Sequence, residues 1–74
     1  MKKTIIEEAM VAYVKEMNDL TTKINSSYSK AVKAAHRGDE KSYRKLVEKI
    51  SEMGAKLETL EKEFNVIKTA YAAI

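Results

Sequence analysis

From Tyr43 to Ile74 the side chains Tyr43, Leu46, Ile50, Met53, Leu57, Leu60, Phe64, Ile67, Tyr71 and Ile74 recur at alternating steps of three and four residues. That spacing is a heptad seam, with Tyr43 at the position labelled a, and a seam of this kind requires a facing helix. The first half of the chain supplies one. Ile6, Met10, Tyr13, Met17, Leu20, Ile24, Ser27, Ala31 and Ala34 follow the same alternation, with Met10, Met17, Ile24 and Ala31 at a.

Between the two runs stands one strong break, His36-Arg37-Gly38-Asp39. Gly38 suits the left-handed residue that closes a helix, and Asp39 suits the N-cap of the next, with Glu40 favourably placed in its first turn. Thr4 and Glu7 have the spacing of a capping box at the start of the first helix. The expectation is a single domain over 1–74, with helix 1 at about 5–36, a turn at 37–39 and helix 2 at about 40–73. Asn18 to Ser29 is the weak stretch of helix 1, because its Asn, Ser, Thr and Asp side chains compete for backbone hydrogen bonds. Packing has to hold it helical. Gly54 is the interior weak point of helix 2.

So short a turn forces the helices antiparallel, and folding the sequence about it tests the seam. Ala34 meets Tyr43, Ala31 meets Leu46, Ser27 meets Ile50, Ile24 meets Met53 and Leu20 meets Leu57; Met17 then meets Leu60, Tyr13 Phe64, Met10 Ile67 and Ile6 Tyr71. One register serves all nine layers, and small residues face large ones near the turn, as a filled seam requires. The fold class is therefore all-α: an antiparallel two-helix coiled-coil hairpin, expected to dimerise into a four-helix bundle because a chain of 74 residues without cysteine has little core and no covalent staple.

Composition excludes several functions. Without cysteine there are no disulfides, thiolate metal sites or thiol nucleophiles. The basic opening Met1-Lys2-Lys3 runs into Glu7 and Glu8 too soon for a secretory leader, and no window has the apolar length of a membrane span, so a cytoplasmic, non-membrane protein is expected. His36 is the lone histidine and has no nucleophile in view, and the carboxylate pairs Glu48/Glu52 and Glu58/Glu61 lack the histidines of a helical di-metal site. Neither an enzyme nor a metal, cofactor or small-molecule site is expected. Arg37-Gly38-Asp39 matches a short adhesion motif, and turn chemistry accounts for it.

The seam's flanks remain. The g positions set Lys30 near Lys49, Lys23 near Lys56, Glu16 near Glu63 and Ala9 near Ala70, so like faces like. This reads as a solvated edge, basic towards the turn and acidic farther out. The e positions set Tyr28 near Val47, Thr21 near Gly54 and Val14 near Glu61, with Val11 and Ala12 alongside. That flank widens the apolar stripe beyond the needs of two helices, and Val14, Thr21, Tyr28, Val47 and Gly54 are the expected partner-binding residues. The function this implies is a protein-binding module, an adaptor, inhibitor or co-chaperone that works through helix–helix contacts as a homodimer with another protein as partner. The alternative is nucleic-acid binding at the basic turn end, through Lys33, Arg37, Lys41, Arg44 and Lys45.

Overall fold

The computed structural model describes residues 3–74; Met1 and Lys2, the first two residues of the expected domain, lie outside the described residues. Two helices, α1 (Lys3–His36) and α2 (Glu40–Ala72), pack against each other along their length, and the described residues contain no strand. The product is a rod of 54 × 14 × 12 Å. No helix among the described residues is long and apolar enough to cross a membrane.

Two hydrogen bonds fix direction and register. The Tyr13 hydroxyl donates to Glu63 Oε2 at 2.6 Å, and the Tyr71 hydroxyl donates to Glu7 Oε1 at 3.0 Å. Both run between antiparallel helices, one beside the Tyr13/Phe64 layer and the other beside the Ile6/Tyr71 layer. Burial follows the same arithmetic: all nine seam positions of α1 are buried or half-buried, and of its other described residues only Ala9 is not exposed.

The turn is a Schellman closure. Gly38 has φ 73°, its amide donates to the Ala35 carbonyl at 3.1 Å, and the Asp39 amide donates to the Ala34 carbonyl at 2.9 Å. Asp39 then serves α2 as N-cap, its Oδ1 accepting from the Ser42 amide at 3.2 Å. One residue thus ends the first helix and starts the second, which is why three residues suffice to reverse the chain. The polar stretch Asn18–Ser29 stays helical: Thr21 and Thr22 turn their hydroxyls back onto the carbonyls of Met17 and Asn18, and Leu20 and Ser27 are buried in the seam.

Three details depart from the sequence reading. Thr4 lies inside α1 rather than ahead of it, and Glu7 gives its carboxylate to Tyr71 across the seam instead of reaching back as a capping box would. Tyr43 is 41% exposed, outside the seam it was expected to fill. Its facing residues explain this: Ala31 and Ala34 are 4% and 0% exposed, so the helices close so tightly there that a tyrosine ring has no place between them. Ile74 lies beyond the end of α2 and is exposed.

Candidate functional site

The e flank carries most of the apolar surface the hairpin leaves uncovered. Among the described residues nine large apolar side chains are exposed, and six of them, Val11, Val14, Tyr28, Val32, Tyr43 and Val47, lie on this side of the rod. Near the turn they frame a groove of about 350 Å³ with Ala31 and Ile50 as its floor and Tyr28, Val32, Tyr43 and Val47 around it. Tyr43 lands here because the alanine layers expel it. The structure thus brings Tyr28 and Val47 together, with Tyr43 and Val32 added to what the sequence singled out. Val32 occupies a b position, which on a helix adjoins e, and that adjacency was available in the sequence.

The other expected residues sit apart from this groove. Val14 is exposed in the half of the rod away from the turn, next to Val11 in the pattern. Thr21 and Gly54 lie midway along the flank; Thr21 is exposed and Gly54 half-buried, and a Cβ built on Gly54 meets nothing within 4 Å. The middle of the e flank is therefore low and open, with an apolar patch on either side.

At the turn, Lys41, Arg44 and Lys45 border one depression on α2 together with Glu40 and Glu48. Lys41, Arg44 and Lys45 fan across about 100° of α2, while Lys33 belongs to α1 and Arg37 to the turn. Two of the five have carboxylates beside them: Arg37 lies 3.9 Å from Asp39, and Arg44 lies 3.9 Å from Glu40. The concentrated positive field runs instead along the g flank. There Lys23 and Lys30 of α1 and Lys49 and Lys56 of α2 border one groove, with Glu52 as its only carboxylate.

No protein-family model matches the chain, and neither does any curated protein or solved structure. The residues must therefore carry the functional argument unaided.

Among the described residues no three His, Asp or Glu side chains gather as a metal site would require. Glu58 lies 3.4 Å from Lys62 on the same helix face. His36 is the exposed last residue of α1, at the rim of the e-flank groove. The perturbed titrations are structural: the bonds to Glu63 and Glu7 raise the Tyr13 and Tyr71 hydroxyls above the ordinary tyrosine value, with burial adding a little. Hydrogen bonding from Ser42, aided by Arg37, lowers the Asp39 carboxyl.

Proposed function

We propose that this chain is a non-enzymatic protein-binding module of the adaptor, inhibitor or co-chaperone type, which pairs with a second copy along the e flank to form a four-helix bundle and engages another protein by helix–helix contacts. The observation that carries the reading is the gathering on one flank of six of the nine large apolar side chains exposed among the described residues. Scattered apolar residues are ordinary on a protein surface, but a gathering of them on one side favours a contact surface there.

Two further points support it. The hairpin exposes 5810 Å², whereas folded monomers of its 8.4 kDa mass expose about 4,600 Å². The excess of about 1,200 Å² exceeds the ~800 Å² that each partner contributes to a standard interface. Along α1 the flank also matches itself end to end under a two-fold axis through its middle, while the same axis brings Val47 of one copy opposite Glu61 of the other. Such an axis, perpendicular to the rod near Thr21 and Gly54, lays Val11 and Val14 of one copy on Tyr28 and Val32 of the other and sets the low centre against itself.

Light scattering after size exclusion tests this directly. The expected result is two chains per particle at micromolar concentration, and one chain after Tyr28→Lys/Val47→Lys with helical content retained. Wild-type protein that runs as one chain per particle would overturn the dimer.

A further inference from the structure

The g flank near the turn holds a second groove, of about 610 Å³, whose chemistry is the opposite of the first. Its floor is Leu20, Ser27 and Met53, all buried, and its walls carry Lys23 and Lys30 on one side and Lys49 and Lys56 on the other. None of these four lysines pairs with a carboxylate among the described residues. Lining up like charges destabilises a hairpin slightly, so nothing in the fold itself calls for the arrangement.

The spacing narrows the ligand. Lys30 and Lys49 flank the seam in one heptad and Lys23 and Lys56 in the next, seven residues on, so the two pairs stand about 10 Å apart along the rod. A matching ligand is long, runs parallel to the helices and carries negative charge throughout. A docking helix fits poorly, because none of the exposed large apolar side chains borders this groove and the helix would bury almost nothing. Paired carboxylates also favour the planar fork of arginine, and all four cations here are lysines, which act as mobile point charges suited to phosphates. No aromatic ring lines the groove, so bases would have nothing to stack on.

We infer that the Lys23/Lys30/Lys49/Lys56 groove binds a linear phosphate chain through its phosphates alone. This site is separate from the apolar e flank and does not depend on the pairing proposed there. Inorganic polyphosphate and the backbone of a nucleic acid share this chemistry.

Fluorescence anisotropy at low salt, with labelled long-chain polyphosphate and separately with a short random-sequence DNA duplex, tests it. Lys30→Gln/Lys49→Gln should weaken polyphosphate binding by about tenfold, and rising salt should weaken it further. Lys41→Gln/Lys45→Gln removes the same charge at the turn end and should weaken it by no more than about twofold. Lys23→Gln/Lys56→Gln repeats the comparison one heptad along, and circular dichroism checks helicity in each variant. Duplex binding with the same lysine dependence identifies a nucleic-acid backbone as a source; binding of polyphosphate alone identifies the inorganic chain. Equal losses in the groove and turn-end variants would reduce the effect to net charge and overturn the site, as would no binding of either probe at low salt.

Discussion

The half of the seam next to the turn and the half beyond the middle solve the same packing problem in opposite ways. Near the turn the facing residues Ala31, Ala34 and Ser27 are small, and the helices close over them until they are buried. Beyond the middle the outer three layers are Tyr13/Phe64, Met10/Ile67 and Ile6/Tyr71, and of these six side chains only Ile6 is buried. Two hairpin helices cannot bury large side chains all round, so the wide half instead ties its tyrosines to Glu63 and Glu7 at the edges. The tight half makes no such ties. It expels Tyr43, and that expulsion builds the apolar groove on the e flank. Tight packing inside and a sticky surface outside have one cause.

The harshest way to break the seam is at its midpoint, where the two regimes meet. Leu20 is buried there, and Leu20→Asp places a charge with no partner in an apolar layer. The cost is on the order of 3 kcal/mol or more, enough to unfold a hairpin of marginal stability. Circular dichroism should show a largely unfolded chain at 25 °C; a folded variant with an unchanged melting temperature would mean that the midpoint is not sealed.

A gentler test separates the halves. Ala34→Leu enlarges a fully buried residue in the tight half and should cost about 1–3 kcal/mol. Ile67→Phe adds bulk in the wide half, where the side chain is already half in water, and should cost less than about 1 kcal/mol. Urea midpoints compare the two, and equal costs would show that both halves pack alike. Smaller still, Gly54→Ala should stabilise the isolated hairpin by up to about 1 kcal/mol, because its Cβ enters open space and the helix gains a better former. The same methyl stands at the centre of the proposed two-fold contact, so the variant should melt higher yet dimerise less well. A gain in both would move the contact elsewhere on the rod.

Most of this fold was legible in the sequence for a simple reason: two antiparallel helices reduce to a period and a turn, and both are local. Gly38 and Asp39 announce the reversal, and the mirrored heptads fix which residues face each other. What heptads do not encode is the distance between the helices. Tyr43 sits at an a position as regular as Ile50, yet only the alanines opposite decide that it must leave. The candidate surfaces divide along the same line. Lys30 opposite Lys49 and Lys23 opposite Lys56 follow from register, whereas the groove they border depends on how far apart the backbones stand.

The smallest expected effect distinguishes the two ends by pH. At the turn, the folded state lowers the Asp39 carboxyl, so its contribution is present above the ordinary carboxylate value near 4 and is lost as pH falls through the lowered value. At the far end the folded state raises the Tyr13 and Tyr71 hydroxyls, so their contribution is present below the ordinary tyrosine value near 10 and is lost as pH rises through the raised values. Acid should therefore loosen the turn, and alkali should loosen the end where Tyr71 also carries Lys3 over its ring at 4.9 Å. Asp39→Ala should flatten the acid limb of the stability profile and leave the alkaline limb alone. Tyr13→Phe/Tyr71→Phe should do the reverse: it should be less stable than wild type at neutral pH, with the gap narrowing as wild-type tyrosines ionise. Melting curves across the pH range read both limbs, and a gap between wild type and the double-Phe variant that stays constant above pH ~11 would mean that neither tyrosine's hydrogen bond stabilises the wide half.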